Sequence, residues 1–174
     1  MIPQKTPLRK LNLMNAHGFA RVVGPVFEHS PWVAERAFAK HPFKSMDDLH
    51  AKLVETMKSA SDTEKLALLR AHPDLVGRMA QPQQLTEESK REQAAAGLDR
   101  LSSDEREAFQ TYNAAYHEQF GFPFIICARE HKKEAILTAF PKRLKNPREK
   151  ETATALDEIA KIARLRLIDL IEEH

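Results

Sequence analysis

Apolar residues recur three and four positions apart along almost the whole of this chain, a spacing that only a helix turns into one buried face. Phe19, Val22, Val23, Val26 and Phe27 form one such run, and Leu49, Leu53, Met57 and Ala60 a second. Leu156, Ile159, Ala160, Ala163, Leu167 and Leu170 form a third near the end. Runs of β-branched residues are nearly absent, and there are only five glycines among 174 residues. The chain therefore reads as all-α, a single domain over residues 1–174 of about seven or eight helices. That length buries a sizeable core without disulfide or metal staples.

Start and stop signals divide the helical pattern. Pro25 ends or kinks the first run. Ser30-Pro31 reads as an N-cap followed by proline at the first helical position, opening a helix with Trp32, Val33 and Phe38. Ser45 caps the next helix, and Ser61-Asp62-Thr63-Glu64 fits a capping box ahead of Leu66 and Leu69. Residues 76–85, with Gly77 and Pro82, read as a loop. Thr86 caps a helix through Glu88, Glu92 and Ala96 to Gly97. Ser102-Ser103-Asp104-Glu105 is a second box, and its helix should bury Ala108, Phe109, Tyr112, Ala115, Tyr116 and Phe120 before Gly121. Residues 134–144 are helical, and Asn146-Pro147-Arg148-Glu149 starts the last helix.

Phe122-Pro123-Phe124-Ile125-Ile126-Cys127-Ala128 breaks the pattern as one strongly apolar, non-helical run. It has no obvious strand partner and reads as a short buried extended segment. Its backbone groups then need partners, because a buried unpaired amide costs about 1–3 kcal/mol.

Composition narrows the function. A net charge of +2 is too small for an electrostatic nucleic-acid footprint, so no nucleic acid is expected as partner. No apolar run approaches a membrane span, and Met1 to Lys5 lacks the apolar core of a signal peptide. The end of the chain is not a peroxisomal tripeptide signal. The single cysteine, Cys127, excludes an internal disulfide and suits a reducing compartment, so the expected location is cytoplasmic, with no membrane partner. No histidine pair has HExxH spacing and no cysteine cluster exists, so no metal site is expected. There is no glycine-rich phosphate loop. Cys127 sits in an apolar run, where cysteines are packing residues rather than nucleophiles.

Two polar insertions remain. His72 ends a helix, because Pro73 disfavours the α conformation for the residue before it. Its imidazole is held at the negative end of a helix dipole, which favours an imidazolium by about 0.3–1 kcal/mol. On the following helix Glu88 and Glu92 share one face, and Ser89 and Gln93 share another. A histidine before proline is also compatible with a plain helix-end hydrogen-bonder, and Glu92-Gln93 with a solvated helix face. Glu28-His29 beside Trp32 is a further polar candidate. Arg164 and Arg166 read as margins of an amphipathic helix that reach solvent.

These fragments stand in a telling order. Phe27-Glu28-His29-Ser30-Pro31-Trp32 comes first, then His72-Pro73-Asp74-Leu75, then Glu92-Gln93-Ala94-Ala95-Ala96-Gly97-Leu98. Phe120-Gly121-Phe122-Pro123-Phe124-Ile125 and Ile162-Ala163-Arg164-Leu165-Arg166-Leu167 complete the series. Together, from about Leu11 to Leu167, they resemble the 2-oxo-4-hydroxy-4-carboxy-5-ureidoimidazoline (OHCU) decarboxylases of uric acid degradation. The resemblance implies an all-α homodimer that converts OHCU to (S)-allantoin with loss of CO2 and no cofactor. His72 then matches the acid/base histidine and Glu92 the carboxylate beside it. Pro73, Ser89, Lys90, Arg91 and Gln93 match substrate-contacting positions, as do Phe124, Ile125, Ile126, Cys127 and Ala128. Arg166 matches a C-terminal arginine at the substrate, with Arg164 as the neighbouring alternative. Some relatives are fused to a transthyretin-like hydrolase, and this chain is expected to be the stand-alone form. A rival reading from another class is a non-catalytic helical module that binds a urate-like heterocycle.

Overall fold

The computed structural model describes residues 4–76 and 86–174. The loop expected at 76–85 lies outside the described residues apart from Val76. Among the described residues the helices are α1 Leu8–Asn12, α2 Ala16–Val23, α3 Trp32–Ala37, α4 Met46–Lys58, α5 Asp62–Ala71, α6 Glu87–Ala95, α7 Ser103–Phe120, α8 Lys133–Leu144 and α9 Arg148–Leu170. Two short strands accompany them, β1 Thr6–Pro7 and β2 Ile171–Glu172. The chain is mostly helical, as the apolar spacing requires. Among the described residues no helix is long and apolar enough to cross a membrane.

Residue contacts divide the chain into two compact units. The first comprises Met1–Leu68 with Ala160–His174, and the second is the continuous stretch Leu69–Ile159. Helices α5 and α9 each contribute to both.

In the first unit the expected stops and caps govern the helices. Pro25 sits in a 3-10 turn, Gly24–Val26, that closes α2. Ser45 Oγ accepts the Asp48 amide at 3.0 Å and so caps α4. Leu49, Leu53 and Met57 of α4 are fully buried with Phe19, Val33, Ala163 and Leu167. Phe19 stacks on Phe43 with ring centroids 5.4 Å apart. The box before α5 closes in both directions: Ser61 Oγ accepts the Glu64 amide, and Glu64 Oε2 accepts the Ser61 amide. Ser30 departs from its expected role, because its hydroxyl donates to the Glu28 carbonyl at 3.0 Å instead of capping α3. β1 and β2 pair in parallel, Thr6 opposite Ile171 and Pro7 opposite Glu172. Strand pairs two residues long leave no alternating pattern for a reader of the sequence to find.

In the second unit the box at Ser102 and Glu105 is present, and Gly121 ends α7 in the left-handed conformation at φ 75°. Leu69 is buried as expected. On α7, Phe109, Tyr116 and Phe120 point inward, but Ala115 is exposed and Asn113 takes the buried position. The difference is one of phase. Phe109, Asn113, Tyr116 and Phe120 follow four-three-four spacing, which excludes position 115 from the stripe. Phe122 to Ala128 is buried and forms no strand, ending in a 3-10 turn, Ala128–Glu130. Its Phe124 ring stacks on Phe140 at 3.8 Å and meets Tyr116 edge-on at 5.3 Å. Such aromatic pairs add about 0.5–1.5 kcal/mol each beyond the area they bury.

Candidate active site

The second unit holds the histidine, the carboxylate and the apolar segment that the sequence singles out. α5 stops at Ala71, and the His72 amide donates to the Leu69 carbonyl at 3.2 Å in a final tight turn. Proline at 73 then turns the chain away, as its ring requires. His72 is half-buried.

The four residues after His72 are fastened by side chains from two helices. Gln93 of α6 accepts the Val76 amide at 3.2 Å through Oε1 and donates to the Asp74 carbonyl at 3.4 Å through Nε2. Asn113 of α7 donates to the Leu75 carbonyl at 2.7 Å. His117 Nε2 and Asp74 Oδ1 lie 2.6 Å apart. These contacts hold Val76 at φ 51°, a left-handed conformation that a β-branched residue avoids. Strain of this kind costs about 1–3 kcal/mol and persists only where the surroundings enforce it.

α6 is buried on one side. Thr86 Oγ1 accepts the Ser89 amide at 3.2 Å, which fixes the phase of the first turn. Ser89 and Glu92, three apart, are then buried at 4% and 8% exposure. Lys90 and Arg91 face outward and pair along the helix with Glu87 at 2.9 Å and Glu88 at 3.6 Å. The expected contact positions on α6 therefore separate by side chain: Ser89, Glu92 and Gln93 turn into the unit, whereas Lys90 and Arg91 do not.

α6 packs on the 3-10 turn at Ala128–Glu130, and the Lys133 amide donates to the Ala96 carbonyl at 3.1 Å. Cys127, just before that turn, is fully buried. Burial pushes its thiol up to about 11, with the carboxylates of Glu130, Glu158 and Glu92 adding to the shift. The Glu92 charge is thus close enough to be felt at Cys127. A protonated, buried thiol has no nucleophilic character at neutral pH.

The segment is not left with all its amides unpartnered. Arg143 Nη1 donates to the Ile125 carbonyl, and the Cys127 amide donates to Glu158 Oε2 at 3.2 Å. Sequence reading missed Arg143, Glu151 and Glu158, although a signal existed. Ile136, Phe140 and Arg143 follow the core spacing of α8, and Glu151, Ala155, Glu158 and Ile162 that of α9. Charged residues on an apolar stripe are a cue to buried polar work.

Arg166 belongs to the first unit and is buried at 3% exposure. It donates to the Val26 carbonyl at 3.1 Å and to Glu28 Oε1 at 2.9 Å. Arg164 is exposed and pairs with Asp47. The expectation that both arginines line a wet margin fails for Arg166, and Glu28 supplies the reason. A recess of about 410 Å³ in the same unit is lined by Met14, Asn15, Gly18, Arg21 and Val22, none of them an expected site residue. Among the described residues no group of three or more His, Cys, Asp and Glu side chains is placed to hold a metal.

The OHCU decarboxylase family model matches residues 12–168. The chain is similar to the 2-oxo-4-hydroxy-4-carboxy-5-ureidoimidazoline decarboxylase of Halalkalicoccus jeotgali, with 44% identity over 92% of this chain and 89% of that protein. It is 41% identical to the protein of that name from Haloferax volcanii, over 93% of this chain and 94% of the other. Among solved structures, (S)-allantoin synthase superposes with a TM-score of 0.76 at 29% identity, covering 96% of this chain and 54% of that one.

Proposed function

The chain belongs to the OHCU decarboxylase family, and from that premise we propose that it decarboxylates OHCU to (S)-allantoin in uric acid degradation. The observation that carries the reading is the one-sided α6. It buries Ser89 and Glu92 and packs on the 3-10 turn Ala128–Glu130 at the end of the apolar segment, while Gln93 fastens the turn that follows His72.

The chemistry suits these groups. The departing carboxylate sits on a carbon that also bears a hydroxyl and adjoins a C=N bond. Electrons from the breaking C–C bond flow into that C=N, so the substrate supplies its own sink, the role that pyridoxal or thiamine fills elsewhere. The hydroxyl then becomes the carbonyl of the product as one face of the ureido-bearing carbon takes a proton. His72 manages the proton at the hydroxyl and carboxylate end, a task suited to an imidazole, whose two ring nitrogens can both give and take a proton. Glu92 holds the imidazole or the ring nitrogens. Ser89, Pro73 and the backbone of residues 124–128 hold the heterocycle, and Gln93 keeps the His72 turn in register. Arg166 is the substrate-binding arginine that the family resemblance implies, and Lys90 and Arg91 belong to the same substrate-contacting stretch as Ser89 and Gln93. The active species is a cytoplasmic homodimer, and the family model covers residues of both compact units.

The test generates the unstable OHCU in place from urate, with urate oxidase and hydroxyisourate hydrolase, and follows circular dichroism. Addition of this protein accelerates formation of the (S) enantiomer. Racemic allantoin at the uncatalysed rate would refute the reading. Sedimentation velocity on the same sample reads the dimer.

A further inference from the structure

We propose that Arg143 and Glu158 are positioning residues, a buried pair of opposite charges that sets the backbone of the Phe124–Ala128 segment for substrate. The inference rests on the proposed role of that segment.

Their two bonds fall on one edge of the chain. In an extended backbone the carbonyl of one residue and the amide two residues later face the same side, and the residue between them faces the other. Arg143 Nη1 donates to the Ile125 carbonyl, and Glu158 Oε2 accepts from the Cys127 amide at 3.2 Å. Residues 123–127 take no helix, turn or bend, and Cys127 at their end is extended at φ −70° and ψ 90°. Among the described residues neither the amide nor the carbonyl of Ile126 makes a hydrogen bond. With one edge pinned, Ile126 offers a donor and an acceptor together on the opposite edge, the complement of a ureide.

Arg143 is itself held. Glu151, fully buried, takes Arg143 Nε at 2.5 Å and the Tyr116 hydroxyl at 2.7 Å on Oε1, and Asn146 Nδ2 at 3.0 Å on Oε2. Burial and the bond to Glu151 push the Tyr116 hydroxyl well above its usual range, so it stays a donor. The guanidinium lies 4.2 Å from the Phe124 ring centroid, so the same side chain grips the segment by its backbone and by its ring. Fork, ring and carboxylate fix the guanidinium in a plane that a lysine ammonium cannot reproduce.

A purely structural ion pair would be exchangeable for apolar residues at little functional cost. A positioning pair would not, since small displacements of a binding backbone weaken substrate binding and turnover strongly. The experiment measures steady-state kinetics on OHCU generated in place for Glu158→Gln, Glu158→Ala, Arg143→Lys and Arg143→Met. Melting temperature and amide exchange at Cys127 are recorded alongside. Glu158→Gln keeps an acceptor for the Cys127 amide and holds KM within about threefold. Glu158→Ala and Arg143→Met raise KM about tenfold or more with a smaller loss in kcat, and Arg143→Lys falls between. In Glu158→Ala the Cys127 amide exchanges faster. An unchanged KM with only a lower melting temperature, or unchanged exchange at Cys127, overturns the inference. Should the alanine or methionine variant fail to fold, the glutamine and lysine variants carry the test: equal kinetic behaviour of both with wild type overturns it. Wild-type protein inactive on OHCU sinks the functional reading instead, so the two failures are distinct.

Discussion

Arg166 and Glu28 form an ion pair at 2.9 Å with both side chains almost wholly removed from water. Removing one partner of such a pair strands the other charge. Glu28→Ala should therefore cost about 3–5 kcal/mol of stability, far more than an exposed pair would. Urea denaturation checks this through a lowered midpoint at unchanged slope. The exposed pair of Arg164 with Asp47 supplies the contrast: Asp47→Ala should shift the midpoint by the equivalent of about 1 kcal/mol or less.

His72→Gln keeps the polarity and approximate size of the half-buried side chain at the end of α5 but removes its proton chemistry. Enantioselective (S)-allantoin formation should fall by about a hundredfold or more, with the far-ultraviolet spectrum preserved. Near-wild-type turnover would remove His72 from the mechanism.

Gln93→Leu leaves the Val76 amide and the Asp74 carbonyl without their side-chain partner. The loss should be about 1–3 kcal/mol. Because the turn it fastens begins at His72, kcat should drop as well. Hydrogen exchange confined to residues 74–76 would locate the effect.

Cys127 titrates only near 11, against an ordinary value of 9.0. At pH 7.5 a thiol reagent should label it only after denaturant is added. The sign for stability follows from the raised value: the folded state keeps a proton that the unfolded state gives up first. This contribution is fully present below about pH 9 and is lost progressively up to about pH 11. Urea midpoints across that window should slope downward in wild type and less so in Cys127→Ala.

Gly121→Ala tests the left-handed stop of α7. The added Cβ would meet Arg70 Nη2 at 3.7 Å, an ordinary contact, so the cost comes from the backbone alone. About 1 kcal/mol is expected, read as a fall in melting temperature.

Helix starts and stops were legible because each has local chemistry. Ser45, Thr86 and Ser102 all cap where hydroxyl and helix phase predict. Ser30 was misread because its competing acceptor, the Glu28 carbonyl, depends on a turn that no spacing rule describes. The site was legible in its nouns and not in its grammar. His72 and Glu92 could be named from order and motif, but Asn113 and His117 come from α7 to hold the intervening turn. Arg166 lost its solvent only through Glu28, a partner 138 positions away. Long-range pairing of this kind leaves no periodic trace, and only the charged residues on apolar stripes hint at it.

The parallel pairing of Thr6–Pro7 with Ile171–Glu172 bears on the order of events during synthesis. The unit Leu69–Ile159 is continuous in sequence, so every residue it needs has been made before Ala160 is added. The other unit draws on Met1–Leu68 and on Ala160–His174. It stays incomplete until Ala160–His174 has been made, and its strand pair must close the long loop from Thr6 to Ile171, an entropic cost that grows only slowly with length. The histidine and the buried carboxylate of α6 thus belong to the unit whose residues are all made first, and the buried arginine to the unit completed later.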